Sequence, residues 1–489
     1  MRITNGILIN NSLTNINANK SKIDNLLTQL TYEKKIQRPS DDPIIAIRAL
    51  RFRSTLAEID QYLTKNIPDA DAWLTATDDA MGNISKVLGD ITKYCNEAVN
   101  GYYDETNKNT IVEELKAFRS QIYSDANADC AGRTIFTGYK TDSTLTFLEN
   151  NSNKYQITQK FNAESFDKVS KVYNSLDITG INGTNVGGVD IDAIKVPETV
   201  DSYRVRLAYD GTLEEDGLVI TSQNPAQTYT TVLKDSSDPT AYRPGDGEVF
   251  YLADTGELIV GADVYNDLMT AEGFSFTYTK EGFKKEELDP TQYFDCVDIT
   301  DPANPVTYTN RNQEISYEVN FNQMLKINTQ GKNVFTQDMT RDLDDIINVV
   351  DQVITVSNKK ENLQKLYDET EEGSPEREKV QKLMDLCDRE LDFVTENVKN
   401  AFSKGISLYQ KHQDMVGLAR ADVGARQNRL ALCESRLEAQ KLTVKNLKSL
   451  NEDVNVANVA VELDQAQSIF DASLKSVAQV VQKKLLDFL

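Results

Sequence analysis

Apolar residues recur every seven positions near the start of the chain, within a segment otherwise rich in Asn, Ser, Thr and Lys. They are Ile9, Ile16, Ile23 and Leu30. A seven-residue apolar repeat is typical of helices that pack as coiled coils. The repeat ends at residues 38–43 (RPSDDP), where two prolines cannot continue a helix interior. The pattern predicts a first helix before this segment and a second from about Ile44, capped by Ser40 or Asp41.

The second helical segment carries a longer repeat of the same kind. Leu74, Met81 and Leu88 are consecutive members of one row, and a companion row runs beside it. Spacing that alternates between three and four residues over several turns predicts a bundle helix. Pro68 interrupts this repeat, so we expect a kink or break near Asn66.

The C-terminal part of the chain holds the longest repeat. Its row is Phe402, Tyr409, Val416, Val423, Leu430, Leu437 and Val444. Residues 451–453 (NED) are predicted to interrupt this helix. A last helix follows, and its apolar residues are Val456, Val459, Leu463, Ala466, Phe470, Val477 and Val480, with Leu485, Leu486 and Leu489 at its end.

The middle of the chain has a different period. Residues 202–209 alternate between polar and apolar types, and two short apolar runs flank residues 254–256 (DTG). Alternation predicts strands, and a short turn with glycine between two such runs predicts a hairpin. The fold class expected is therefore α+β: a long, coiled-coil-like helical bundle built from both chain ends, with an inserted β-rich outer domain.

These patterns divide the chain into three predicted parts. Residues 1–38 with 452–489 form a terminal helical core that polymerises, residues 39–140 with 336–451 form a helical bundle, and residues 141–335 form the outer domain. The assembly seam is predicted at Ile9, Ile16, Ile23, Leu30, Val456, Leu463, Phe470, Val477, Leu485, Leu486 and Leu489. The bundle seam is predicted at Leu74, Met81, Leu88, Val416, Val423, Leu430 and Leu437.

Charge adds a second distinction between the ends and the middle. The chain of 489 residues has a net charge of −23, and residues 141–335 carry 15 basic and 31 acidic side chains. A chain this acidic repels phosphate backbones, so nucleic-acid binding is not expected. An acidic middle favours exposure to water, whereas the nearly neutral ends can pack against copies of themselves.

Candidate chemistry is sparse. The single histidine, His412, excludes an HExxH zinc site, and its place beside the long apolar row favours a packed histidine with a satisfied ring nitrogen. The five cysteines show no CxxC spacing. We expect no enzyme activity, no catalytic residues, no metal and no cofactor. We also expect no membrane insertion, because no apolar run approaches 18 residues, and no cleaved secretory signal at Met1.

Several motifs resemble one family. The turn at residues 38–43 and the segment 420–430 (RADVGARQNRL) resemble bacterial flagellins and flagellar hook-associated proteins. Segments 132–139 (GRTIFTGY), 452–455 (EDVN) and 485–489 (LLDFL) are more similar to the hook–filament junction type within that family. The resemblance covers about residues 1–145 and 312–489, in the family's order.

The resemblance implies a structural protein that is secreted unfolded through the flagellar type III apparatus and is needed for swimming. It implies an extracellular ring of identical subunits at the hook–filament junction, which contacts flagellin and a neighbouring hook-associated protein. It also implies an export chaperone at the C-terminal helix. Two alternatives remain open: a filament flagellin, or a middle domain that binds glycans or a host surface.

Overall fold

The computed structural model describes residues 5–99 and 108–486. Long helices occupy both ends of the described chain, and the strands lie mainly between them. The helices are α1 Asn5–Tyr32, α2 Pro43–Gln61, α3 Ile67–Val99, α4 Lys108–Ala126, α5 Ala262–Thr270, α6 Pro290–Tyr293, α7 Gln337–Glu369, α8 Pro375–Glu452 and α9 Val456–Leu486. The predicted α+β class is confirmed. The predicted interruption before the last helix is present, but it lies at residues 453–455 rather than 451–453.

Helix α2 begins where its sequence allows, but its cap differs from the prediction. Asp42, rather than Ser40 or Asp41, caps the helix by accepting hydrogen bonds from the amides of Ile44 and Ile45. Pro43 takes the first helical position, where its missing N–H costs nothing. Asp41 instead accepts from the amides of Arg38 and Gln37, and these bonds lower its pKa.

The α-helix is interrupted just before Pro68, as predicted near Asn66, although the chain stays helical there. A π-helical turn, Tyr62–Asn66, joins α2 to α3, and the amide of Ile67 donates to the carbonyl of Tyr62 five residues earlier. Pro68 lies at the second position of α3. Pro68 has no backbone N–H to donate, and the wider π-turn before it accommodates this missing hydrogen bond. The chain therefore remains helical from Pro43 to Val99.

The strands number fifteen in the described chain and form two larger sheets and two hairpins. They are β1 Asp129–Cys130, β2 Arg133–Thr134, β3 Asn151–Phe161, β4 Phe166–Tyr173, β5 Glu198–Arg206, β6 Val219–Gln223, β7 Thr228–Thr230, β8 Val232–Lys234, β9 Val249–Leu252, β10 Glu257–Val260, β11 Gly273–Phe283, β12 Asp295–Asp298, β13 Val306–Tyr308, β14 Ser316–Asn320 and β15 Gln323–Lys326. The predicted hairpin around residues 254–256 is β9–β10, with Leu252 opposite Glu257.

The two larger sheets share one hydrophobic core. One has the order β4-β5-β10-β9-β8, with β8 and β9 parallel, and the other has the order β13-β12-β3-β11-β6-β7. Their facing side chains include Tyr251 and Leu258 from the first sheet and Ile157 and Phe276 from the second. Alternate residues of β9 and β10, such as Phe250 and Ile259, pack on the other face of the first sheet, so that sheet is buried on both sides.

The far face of the five-stranded sheet carries a buried ionic cluster. Arg204 is only 3% exposed, and its guanidinium contacts the carboxylates of Glu257, Asp345 and Asp167 at 2.6–2.7 Å. Asp345 belongs to α7, so the cluster joins β5 and β10 to that helix. The three carboxylate partners compensate the free-energy cost of burying the charge of the Arg204 guanidinium.

The chain divides into two compact units. The first, here named the terminal unit, comprises Met1–Ala70, Tyr317–Leu325 and Asn428–Leu489, and the second, the central unit, comprises Asp71–Ser316 and Lys326–Gln427. The finer division into three parts, with the boundaries given above, stays a prediction.

Candidate assembly surface

Within the terminal unit, α1 packs on α9. Leu26 of α1 and Val459 and Ala466 of α9 are buried against one another. Ile23, Leu30, Val454 and Leu463 are partly buried around them. The C-terminal half of α1 thus meets the N-terminal half of α9, as expected for two helices with apolar stripes at 3–4 spacing.

The predicted assembly-seam residues lie around this contact rather than at its centre. Among those with described side chains, Val456 is exposed and the others are half-buried: Ile9, Ile16, Ile23, Leu30, Leu463, Phe470 and Val477. Leu485 and Leu486 belong to the last turn of α9, and Leu489 lies outside the described residues. The seam is therefore used in part within one chain, and its role between chains stays a prediction.

Other apolar side chains of the two helices are open to solvent. On α1 these are Ile7, Leu13 and Leu27, and on α9 they are Val461, Ile469 and Leu474, each at least 44% exposed. We name this set the open apolar face. Most exposed large apolar side chains in the described chain lie in the terminal unit, although that unit is the smaller. Such a concentration is typical of a surface that a partner covers.

The connections into and out of this helix pair are held by a cluster of charged residues, here named the clasp. Glu452, at the end of α8, is 4% exposed and accepts two hydrogen bonds from Arg53 of α2, at 3.1 and 2.9 Å. These bonds raise the pKa of the Arg53 guanidinium. Lys34 contacts Asp453, and that hydrogen bond lowers the pKa of the Asp453 carboxyl.

Backbone hydrogen bonds reinforce the clasp. The amide of Lys35 donates to the carbonyl of Glu452 at 2.7 Å, and the amide of Val454 donates to the carbonyl of Glu33 at 3.1 Å. Glu33 has a φ of 53°, an uncommon conformation for a residue other than glycine. The α1–α2 and α8–α9 connections therefore pair with each other, which fixes where α1 ends and where α9 begins.

The predicted bundle-seam residues are all buried. Leu74, Met81, Leu88, Val416 and Val423 lie in the central unit, and Leu430 and Leu437 lie in the terminal unit. In the central unit, Arg420 of α8 donates to Asp78 of α3 at 2.7 Å, and Gln413 donates to the carbonyl of Ser85 at 3.3 Å. Their role as one continuous seam stays a prediction.

His412 lies in this helical packing with its partner. Its Nε2 is 2.8 Å from Oδ2 of Asp342, and the Tyr409 hydroxyl donates to the Met339 carbonyl at 2.8 Å one turn earlier.

Across residues 5–99 and 108–486, no group of three or more His, Cys, Asp or Glu side chains is placed to hold a metal ion. In the same residues, none of the helices has the length and hydropathy needed to cross a membrane.

Sequence reasoning missed two parts of this surface. The buried residues Val459 and Ala466 belong to the predicted apolar stripe of the last helix but not to the predicted assembly seam. Leu26 lies outside the prediction, although it stands three positions after Ile23, where a companion row is expected. No pattern signals the pairing of Arg53 with Glu452, because the two residues belong to different helices and lie 399 positions apart.

Comparison with known proteins places both ends of the chain in one family. The bacterial flagellin N-terminal helical region matches residues 3–141, and the bacterial flagellin C-terminal helical region matches residues 409–489. Flagellar hook-associated protein 3 of Salmonella typhimurium is 26% identical over 145 residues, which are 29% of this chain and 45% of that protein. The Escherichia coli protein of the same name is 27% identical over 116 residues, or 24% and 36% of the two chains.

This chain thus aligns with less than half the length of these relatives. Among solved structures, a hook-associated protein of Vibrio parahaemolyticus is similar at 14% identity and a TM-score of 0.35, covering 84% of this chain and 99% of that one. The flagellar junction protein FlgL of Legionella pneumophila is similar at 11% identity and a TM-score of 0.32, covering 84% and 100%. Both ends of this chain therefore match the bacterial flagellin helical regions, and the named relatives are flagellar hook-associated proteins.

Proposed function

We propose that this chain is a structural protein of the bacterial flagellum that joins the hook to the filament. The open apolar face of α1 and α9 is the observation that carries the proposal. Exposure of these side chains to water is unfavourable. Their burial against further helices would stabilise the assembly by about 25 cal/mol per Å² of apolar surface buried. The two helices that bear the face lie within the residues that match the flagellin N- and C-terminal helical regions.

The match to hook-associated protein 3 favours a junction role over that of a filament subunit. It extends over 145 residues of this chain, and the family regions at both ends agree with it. The proposed partners are other copies of this chain in a ring, flagellin on one side and a neighbouring hook-associated protein on the other. The protein would act outside the cell, at the junction itself.

Export and masking follow from the same surface. A chain that exposes Leu13, Leu27, Val461 and Ile469 before assembly would aggregate or bind promiscuously in the cytoplasm. We therefore propose that it leaves the cell unfolded through the flagellar type III apparatus, with an export chaperone on its C-terminal helix until then. The clasp would form after export, when α8 and α9 fold.

Deletion of the gene in its own organism tests the proposal. A junction protein predicts complete hooks on the cells, no filaments, and abundant unpolymerised flagellin in the medium. Complete hooks with no flagellin in the medium would instead identify this chain as the filament subunit. Normal filaments and normal swimming would contradict both roles.

A further inference from the structure

Two neighbouring cavities lie along one side of α7 in the central unit. The larger has a volume of about 820 Å³ and the smaller about 510 Å³. Asp177, Thr355 and Lys359 line both, so the two form one continuous groove, here named the α7 groove. Its other walls are residues 171–181, which include the start of the β4–β5 loop (residues 174–197), and the segment 236–243. Each cavity falls in the size range of ligand pockets.

One helical stripe of polar side chains forms the floor of this groove. The stripe is Asn348, Asp351, Gln352, Thr355, Asn358 and Asn362. Steps of three and four residues keep these side chains on one side of α7, and the 14-residue span corresponds to about 21 Å along the helix axis. The floor therefore suits an extended ligand better than a compact one.

The amide groups of this stripe are open to solvent: three of them, Asn348, Asn358 and Asn362, are exposed, and Gln352 is half-buried. Within the described part of the chain, the side chains of Asn348, Gln352, Asn358 and Asn362 make no hydrogen bond to another protein group. A side-chain amide both donates and accepts, as a hydroxyl group does. Four such groups in a row are matched to a ligand with many hydroxyls along one edge.

The cations of the groove are already engaged by the protein. The Lys359 ammonium donates to the Leu176 carbonyl at 2.8 Å and to Glu390 at 3.1 Å. The Arg243 guanidinium lies 4.5 Å from the centre of the Tyr173 ring, and it also pairs with Glu198 at 3.3 Å. The Lys171 ammonium, which also lines the larger cavity, lies 5.1 Å from the centre of the Tyr242 ring. Each cation lining the groove thus has a protein partner, which disfavours recognition of a phosphate or carboxylate, and the acidic middle of the chain repels anions.

The groove wall is anchored before any ligand arrives. Lys379 of α8 donates to the carbonyls of Gly187 and Val189 at 2.7 and 2.9 Å, and Glu390 accepts from the amide of Leu176 at 2.9 Å. These bonds hold the 24-residue β4–β5 loop against α7 and α8. A preformed wall lowers the ordering cost of binding.

From these observations we propose that the α7 groove binds a neutral, linear oligosaccharide. The amides of Asn348, Gln352, Asn358 and Asn362 would hydrogen-bond sugar hydroxyls along the floor. The proposal is independent of the junction role, because a carbohydrate-binding groove on the central unit does not require the open apolar face.

Titration calorimetry on the full-length protein tests this proposal. The probes are maltotetraose, cellotetraose and chitotetraose, with a heparin-derived tetrasaccharide as the anionic comparison. We expect saturable binding of at least one neutral probe. The double variant Asn348→Ala/Gln352→Ala should weaken binding about tenfold or more, as loss of two hydrogen bonds predicts. Thr355 lines both cavities, so the larger side chain of Thr355→Trp should block the groove and abolish oligosaccharide binding.

Gln364→Ala is the matched control. This residue is an exposed amide of the same helix, bonded to Asp368 at 3.0 Å and outside both cavities, so its loss should leave the affinity unchanged. Absence of binding by all three neutral probes would overturn the proposal. Binding that survives both groove variants, or binding only of the anionic probe, would overturn it as well.

Discussion

Arg53 and Glu452 meet through two hydrogen bonds, from Nε to Oε1 at 3.1 Å and from Nη2 to Oε2 at 2.9 Å, although 399 positions separate them. The Glu452 carboxylate is nearly buried, so it depends on this planar, two-pronged partner. The pair ties the end of α8 to α2 at the point where the chain turns into α9. This ion pair therefore helps to position α9, together with the Lys34–Asp453 contact and the backbone bonds of the clasp.

Loss of the arginine should destabilise the terminal unit. Arg53→Ala leaves a buried carboxylate without its main partner, and we expect a loss of about 1–3 kcal/mol in unfolding free energy. The urea midpoint of the full-length protein measures it. Arg51→Ala is the control, because Arg51 is exposed on the same helix and has no partner in the described chain. Equal midpoints for the two variants would show that the clasp does not stabilise the fold.

The long apolar row of α8 provides a matched pair of leucines. Leu430 is 2% exposed and belongs to the row, whereas Leu432, two positions later, is 70% exposed. Leu430→Ala should cost about 2–4 kcal/mol, because it removes buried methylene groups and leaves a cavity. Leu432→Ala should change the free energy of unfolding by less than about 0.5 kcal/mol. Similar losses in thermal or urea unfolding for both variants would contradict the burial of this row.

The β9–β10 turn depends on glycine at one position. Gly256 has a φ of +64°, and a Cβ there would lie 2.0 Å from the carbonyl oxygen of Tyr209. Gly256→Ala should therefore destabilise the central unit by more than about 1 kcal/mol, through both strain and clash. Gly247 has open space around its Cα, and Gly247→Ala should have little effect. Differential scanning calorimetry distinguishes the two, and a stable Gly256→Ala variant would contradict the turn geometry.

The ionic cluster between β5 and α7 predicts acid sensitivity. Burial alone would raise the pKa of Asp345, but Arg204 and Arg206 outweigh it and hold the pKa well below its usual value. The pKa of Asp342 is lowered in the same way by Arg206 and His412. A carboxyl with a depressed pKa stabilises the fold above its unfolded pKa of about 3.9, and this stabilisation is lost as pH falls through the folded value.

Arg206→Gln tests this pH dependence. The Arg206 guanidinium lies 3.0 Å from Asp345 and also contacts Asp342, so its removal brings the folded pKa values closer to the unfolded ones. The variant should be less stable at pH 7, yet its thermal midpoint should fall less steeply between pH 5 and pH 2 than that of the native protein. Arg243→Gln, which removes an exposed arginine, is the control. Parallel curves for the native protein and Arg206→Gln would contradict the prediction.

The sequence predicts the helical ends more fully than it predicts their contacts. The seven-residue row of α8 identifies buried residues such as Tyr409, Val423 and Leu437. Burial of one side of a helix requires apolar residues at regular intervals, and these intervals are visible in the sequence. Pro68 predicts the interruption near Asn66, but no pattern shows that the interruption is a π-helical turn. Alternation in β5 locates the strand, but it cannot show that Arg204 faces α7 carboxylates instead of water. Ion pairs between distant segments follow from the tertiary fold and have no local pattern.

Complementation of the deletion strain tests the central claim most directly. Leu27→Asp/Ile469→Asp charges the open apolar face, whereas Ser21→Asp/Gln467→Asp charges exposed polar positions of the same helices. Electron microscopy then gives the fraction of hooks that carry a filament. With export and thermal midpoint unchanged, the account predicts almost no filaments for the first variant and a normal fraction for the second. A normal fraction of filaments for the first variant would contradict it.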